Sequence, residues 1–154
     1  MTPPSDLVIE PVDWDDPRGV VLREAQQEEI SGRYGTPDSE PGVKPSASDI
    51  AVFLLATRDG EPVACGGLRR IDDAHGEIKR MYAAPAARGT GAAVAVLREL
   101  ERYGRDLGWE RLVLETGDLQ QDAVRFYTRE GYSPIPLYGH YVGSELSLCF
   151  ERRL

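Results

Sequence analysis

Midway along the chain the spacing of apolar residues switches from that of strands to that of a helix, and this switch constrains the fold most. Before it, Ile50-Ala51-Val52-Phe53-Leu54-Leu55-Ala56 is a continuous apolar run of strand length. Arg58-Asp59-Gly60-Glu61 follows, and an Asp-Gly pair between strands signals a hairpin. Pro62 to Arg70 reads as the returning strand, with Gly66-Gly67 marking a bulge or a close backbone approach. A turn at Asp72 to Gly76 leads into a further strand, Glu77 to Ala83, and Leu7 to Val12 reads as a short strand before them all. After the switch, Ala93, Val96, Leu97, Leu100, Tyr103 and Leu107 recur at helix spacing over Gly91 to Leu107, and Gly108 fits a stop. Arg111 to Thr116 is again a strand. Strand, long helix, strand requires a βαβ crossover and a parallel pair. The expected fold class is therefore α+β: an antiparallel meander joined to one βαβ unit in a mixed α/β sheet.

The flanking segments fit around this frame. Pro17 to Ser31 reads as a helix that opens after Asp16 with proline in its first turn. Gly32 to Ser48 carries Pro37, Pro41 and Pro45 and reads as a long loop, a length usually tied to function or disorder. Gln120 to Glu130 is a second helix on the far side, with Ala123, Phe126 and Tyr127 on one face and Gly131 as its stop. A last strand runs from about Leu146 to Glu151. With 154 residues and no internal repeat, residues 1–154 read as a single domain with its core at about 50–150.

Composition excludes several classes of function. A net charge of −8 argues against a nucleic-acid partner, which would demand a basic patch. It suits a cationic substrate such as an amine, or solubility alone. Cys65 and Cys149 have no CxxC or Cys/His spacing around them, so no metal site is expected; two buried thiols in a reducing compartment are. No apolar stretch approaches the roughly 20 residues needed to span a membrane. Met1 to Asp6 lacks the basic and apolar regions of a signal peptide, which points to the cytoplasm.

The segment Arg88-Gly89-Thr90-Gly91-Ala92-Ala93 lies between a strand and the long helix. Glycines let backbone approach a ligand, and a helix start offers unpaired N–H groups and a positive dipole end to a pyrophosphate. Arg88 adds a charge-assisted contact. A bare strand-to-helix turn with no ligand is the alternative. A Walker P-loop string is absent. Gly89-x-Gly91-x-x-Val94 comes near the dinucleotide fingerprint, with Glu115 placed for a ribose, but it lacks the third glycine and follows antiparallel strands.

Residues Glu77 to Tyr132 resemble the GCN5-related N-acetyltransferase (GNAT) family. Arg88, Gly91 and Ala93 match the three fixed positions of its [QR]-x-x-G-x-[GA] signature. Ala123-Val124-Arg125-Phe126-Tyr127-Thr128-Arg129-Glu130-Gly131-Tyr132 resembles the family's later A-x-x-[FL]-Y-x-x-x-G-[FY] segment. The resemblance implies acetyl-CoA as donor and direct attack by a primary amine, of a small molecule or a protein, in a ternary complex. It implies that the N–H groups of Gly89, Thr90, Gly91, Ala92 and Ala93, with Arg88, hold the pyrophosphate. The backbone of Met81, Tyr82 and Ala83 would pair with the pantetheine arm, beside two strands splayed apart.

The resemblance also distributes proton transfer. Tyr127 matches the tyrosine beside the CoA sulfur and would protonate the leaving thiolate. Glu77 stands where some members place a catalytic glutamate; Glu115 is the weaker alternative base. Gln120 replaces the asparagine common in the family and keeps its hydrogen-bonding capacity. His75 reads as a turn residue, while Tyr34, His140 and the Tyr138-Gly139-His140-Tyr141 stretch are candidate pocket walls. Lys79 and Arg80 should alternate, one toward solvent and one toward a phosphate. The resemblance admits a homodimer. The competing reading is a non-catalytic CoA-binding regulatory module of the same fold.

Overall fold

The run Ile50–Ala56 is apolar throughout because its strand is covered on both faces, as buried parallel-type strands are. In the computed structural model, which describes residues 6–154, Phe53 and Leu55 pack with Leu22, Trp14 and Cys65 on one face. Leu54 and Ala56 pack with Val96, Leu97, Leu100, Leu114 and Tyr127 on the other. One helix therefore lies on one side of the sheet, and two on the other.

The elements run β1 (Leu7–Pro11), α1 (Pro17–Tyr34), β2 (Ile50–Arg58), β3 (Glu61–Arg70), β4 (His75–Ala83), α2 (Ala92–Asp106), β5 (Arg111–Gly117), α3 (Gln121–Arg129), β6 (Ser133–Ile135) and β7 (Ser147–Arg153). They form one seven-stranded sheet in the order β1-β2-β3-β4-β5-β7-β6. Among the described residues only β4 and β5 pair in parallel. The meander, the single crossover and the parallel pair stand as expected. The β2–β3 hairpin turns through Asp59 and Gly60, both at positive φ, as an Asp-Gly type I′ turn needs.

Several boundaries differ from the sequence expectation. α1 does not stop at Ser31: it continues to Tyr34 and ends on Gly35, whose φ of 70° and N–H to the Ser31 carbonyl (2.8 Å) close the last turn. Gly32 is carried inside the helix as a modest propensity penalty. Tyr34 is thus a helix residue. β4 begins at His75, so His75 is a strand residue, its ring bonded to Asp72 at 2.7 Å. The short β6 and two single 3₁₀ turns, Pro85–Ala87 and Gly139–Tyr141, had no sequence expectation.

Two irregularities position the site. The parallel pairing of β4 and β5 covers only His75↔Arg111, Gly76↔Leu112 and Glu77↔Val113. Beyond it the strands part, and β4 stays paired with β3 alone. Secondly, β3 advances from Cys65 to Gly67 while β4 advances from Tyr82 back to Lys79, so β4 carries one extra residue. Arg80 sits in this bulge at φ 58°, a conformation that strains any side-chain-bearing residue by about 1–3 kcal/mol. Gly66 faces the bulge, where a Cβ would lie 2.4 Å from the Met81 sulfur.

Cys65 and Cys149 are both buried and unbridged, and burial pushes the Cys65 thiol up to about 12. Among the described residues no helix is long and apolar enough to cross a membrane. The expectation about a leader rests on Met1 to Asp6 and lies, up to Ser5, outside the described residues.

Candidate functional site

The parting of β4 and β5 opens a slot, and two cavities meet in it. The outer one, about 740 Å³, is bounded by α1, the end of β4, the glycine turn and α3. The inner one, about 100 Å³, lies deeper between the strands. Gln26, Ile30, Met81, Gln120, Ala123 and Tyr127 line both. These six residues are where a ligand in one cavity would touch a ligand in the other.

The outer cavity has a charged, hydrogen-bonding end. α2 starts at Gly91, in a left-handed conformation (φ 90°), with no side chain capping its first N–H groups. Gly89 is also left-handed (φ 77°). Both positions need glycine for this turn. Arg88, Gly89, Gly91 and Ala93 line the cavity. Ala92 is buried in the core behind it, and the Thr90 hydroxyl is turned back to the Ala87 carbonyl. Those two residues offer only backbone to a ligand. An uncapped helix start beside an arginine suits a pyrophosphate, and the cavity is long enough in lining to take an extended arm past Met81, Tyr82 and Ala83. The residues present therefore fit a CoA thioester.

α1 closes the far wall. Glu29 binds the Arg88 guanidinium at 2.8 Å, and Arg33 binds Asp122 at 2.9 Å. Gln26 donates to the Met81 carbonyl at 2.8 Å, while its own carbonyl oxygen is buried without a partner among the described residues. None of these α1 residues was singled out by sequence reasoning. Its helical spacing was legible, but not the face it turns to the slot. Gln120 lies at the start of α3, makes no side-chain cap, and lines both cavities.

Tyr127 comes from α3, its ring edge-on to Phe126 (5.2 Å) and Tyr132 (5.5 Å). Burial pushes its phenol well above the ordinary range. It stays protonated at any ordinary pH.

Glu77 is neither a solvated strand residue nor part of the slot. It is 3% exposed. One carboxylate oxygen accepts from Arg69 Nε (3.1 Å) and Nη2 (2.8 Å). The other accepts from the Tyr138 hydroxyl (2.6 Å) and the Tyr141 hydroxyl (3.0 Å). All its good lone-pair directions are taken, and it lines neither cavity. Glu115 does line the inner cavity. Burial raises its carboxyl above the ordinary range, against the Ser147 hydroxyl, which donates to it at 2.6 Å.

Lys79 and Arg80 do not alternate. The bulge at Arg80 breaks the strand period, and both side chains reach one carboxylate, Glu40. The loop after α1 thus supplies a buried wall of the inner cavity. Tyr34 ties the end of α1 to the turn after β5: its hydroxyl accepts from the Leu119 N–H (2.9 Å) and donates to Asp118 (3.3 Å). Tyr138 and Tyr141 pack edge-on at 5.2 Å and hold Glu77. The Gly- and aromatic-rich composition was their only signal.

Comparison with known proteins agrees with this architecture. Residues 15–132 match the family model described as "Acetyltransferase (GNAT) family". An IAA acetyltransferase of Azospirillum brasilense is 35% identical over 103 residues, covering 66% of this chain and 67% of that one. A Klebsiella pneumoniae structure assigned as an acyl-CoA N-acyltransferase superposes with a TM-score of 0.82 at 26% identity, covering 96% of this chain and 97% of that one. A GNAT acetyltransferase of Elizabethkingia anophelis with acetyl-CoA bound shares the fold, with a TM-score of 0.70 at 16% identity over 98% and 100% of the two chains. The chain belongs to the acetyltransferase (GNAT) family, and is an N-acetyltransferase that takes its acetyl group from acetyl-CoA.

Proposed function

We propose that the donor occupies the outer cavity, that the amine enters through the inner one, and that transfer happens where Gln26, Met81, Gln120 and Tyr127 border both. The observation that carries this reading is the shared lining of the two cavities at the point where β4 leaves β5. Acetyl-CoA supplies an activated acyl carbon and a thiol leaving group. The N–H groups from Gly89 to Ala93 and the Arg88 guanidinium hold its pyrophosphate, once Arg88 exchanges Glu29 for phosphate. The slot-facing backbone of Met81 to Ala83 orients the arm as an added strand would, once Gln26 and Arg88 release the Met81 and Ala83 carbonyls. Glu115 accepts the amine proton, because it borders the inner cavity and its raised carboxyl is better matched to an ammonium than a solvated one. Tyr127 donates to the departing sulfur. Glu77 positions Tyr138 and Tyr141 and stays out of proton transfer.

The inner cavity is small, which favours the amino group of a small molecule, or a narrow chain end, over a broad protein surface. Titration calorimetry with acetyl-CoA, joined to thiol release against a panel of amines, tests the assignment. Binding with release on at least one amine, slowed about a hundredfold in Tyr127→Phe and reduced in Glu115→Gln, is expected. Binding without release on any amine would support a regulatory module instead.

A further inference from the structure

The inner cavity ends on two buried cations that share one anion. Lys79 and Arg80 side chains are 4% and 10% exposed. Lys79 Nζ donates to Glu40 Oε2 (2.9 Å) and to the Tyr141 hydroxyl (3.1 Å). Arg80 places Nη1 on Glu40 Oε2 (2.9 Å) and Nη2 on Oε1 (3.1 Å). This is the fork geometry by which arginine selects a carboxylate. The strained bulge at Arg80 is what aims it there: without the extra residue in β4, Lys79 and Arg80 would face opposite sides of the sheet.

The anion that fills this seat is weakly anchored by its own backbone. From Thr36 to Pro45 the described residues form no backbone–backbone hydrogen bond. Among the described residues two polar ties hold the stretch to the sheet, Glu40 on the cation pair and the Val43 carbonyl on Arg69 at 2.9 Å, while Pro45 is buried at its end and Gly42 lies against His140. If Glu40 leaves, two cations remain at the cavity end and must be neutralised, because an unpaired buried charge is strongly disfavoured. An acceptor that is only an amine cannot do this, since its ammonium is repelled by both. With Glu40 in place, Oε2 already accepts two hydrogen bonds and Oε1 one, which leaves an ammonium a single lone-pair direction beside two cations.

Resting on the reading that the inner cavity receives the acceptor, we propose that the acceptor is an amine that also carries a carboxylate. Its carboxylate takes the seat of Glu40 on Arg80 and Lys79, and the Thr36–Pro45 stretch swings out to admit it. Its amino group then lies toward Glu115 and the buried, unpartnered carbonyl oxygen of Gln26, which accepts an N–H. The transfer balances as before: an N–C bond forms, the thioester C–S bond breaks, and the amine's proton ends on sulfur.

The test uses the twenty standard amino acids, their carboxamides and their decarboxylated amines, with thiol release measured at fixed acetyl-CoA. At least one free acid should turn over, with its carboxamide about ten- to hundredfold poorer in kcat/KM, the range of a charge-assisted pair. Glu40→Gln should lower KM for that acid about tenfold and leave KM for acetyl-CoA unchanged. Arg80→Gln should erase the preference for acid over carboxamide while still binding acetyl-CoA. Equal use of acids and carboxamides, or an unchanged KM in Glu40→Gln, would overturn the proposal and leave the acetyltransferase assignment intact. If no amine releases thiol although acetyl-CoA binds, the transfer reading fails, and the seat is read separately. Millimolar propionate should then raise the melting temperature of Glu40→Gln and not that of Glu40→Gln/Arg80→Gln. No rise in Glu40→Gln would refute the seat itself.

Discussion

Replacing Tyr127 with phenylalanine removes one oxygen and separates catalysis from packing. The ring is 7% exposed and edge-on to Phe126 and Tyr132, and those contacts survive in Tyr127→Phe. Burial alone raises its phenol, with no hydrogen bond contributing among the described residues, so the folded state loses no internal bond. The melting temperature should therefore move by less than about 2 °C. The effect on rate follows from the same burial. A general acid typically contributes about 10²–10⁴-fold. A phenol held far above a thiol's ordinary value of about 8.5 gives up its proton reluctantly. Its main work is a hydrogen bond to the developing thiolate, with full transfer only as the nitrogen proton replaces the one lost. That places the expected loss at the low end, about a hundredfold in kcat, or about 2.7 kcal/mol. Thiol release at saturating acetyl-CoA measures kcat, and calorimetric titration measures donor affinity, which should hold within about twofold. A kcat unchanged within about twofold would remove Tyr127 from proton transfer. A melting temperature lowered by more than about 5 °C would show that the hydroxyl is structural.

Glu115→Gln should abolish the acidic limb of kcat/KM, which in the native protein should rise through a value above the ordinary carboxylate range as Glu115 ionises; a retained limb assigns the base elsewhere. Glu40 behaves oppositely in stability: Lys79 and Arg80 offset its burial and lower its carboxyl from 4.5 to about 2. Its contribution, at most about 3 kcal/mol, is present above pH 4.5 and lost as pH falls toward 2. Denaturant titrations at pH 5 and pH 2.5 should show a steeper loss in the native protein than in Glu40→Gln, and equal slopes would contradict the pairing. Glu101, 1% exposed, binds Tyr132 at 2.8 Å and Arg152 at 2.9 Å, so Glu101→Ala should lower stability by about 3–5 kcal/mol and the melting temperature by about 6–20 °C; scanning calorimetry decides, and a change under 2 °C would show the network to be dispensable. Gly66→Ala would set a methyl 2.4 Å from the Met81 sulfur and 3.1 Å from Leu100, which should cost about 1–3 kcal/mol and weaken acetyl-CoA binding, because Met81 borders both cavities; unaltered affinity in a folded variant would show that the bulge tolerates movement.

What could be read from the chain before its structure was whatever depends on local period and turn chemistry. The Asp59-Gly60 hairpin, the helix spacing from Ala93 to Leu107 and the stop at Gly108 are each fixed by neighbours in sequence. The glycine turn was legible for the same reason: Gly89 and Gly91 adopt conformations that side-chain-bearing residues avoid. The contribution of α1 was not legible. Its apolar stripe is weak, since one face turns Gln26, Glu29 and Arg33 to the slot rather than to the core. Glu77 illustrates the other limit. A glutamate in a strand reads alike whether it is solvated, catalytic or buried in a network, and only the positions of Arg69, Tyr138 and Tyr141, up to 64 residues away in sequence, decide.

The departures from local rules are not scattered. Arg80 holds a left-handed φ, α2 begins without a side-chain cap, Gln26 buries an unpartnered oxygen, and β4 abandons β5 after three residue pairs. Each is locally unfavourable, and the rest of the sheet is regular enough to tolerate them. They all border the two cavities. A chain selected only to fold would have no reason to gather them there. A chain that must hold a thioester between a helix start and a splayed strand has one reason for each. Backbone N–H groups stay free for phosphate. A strand edge is held only by the side chains of Gln26 and Arg88, which an extended arm can displace, and an amide oxygen stays open to an N–H. A guanidinium is turned out of the strand period to meet an anion. In the proposed reading the first two serve the donor and the last two the acceptor. The strain at Arg80 serves no donor contact; in this structure the Glu40 fork compensates it, and in the proposed reading an acceptor carboxylate takes over that fork.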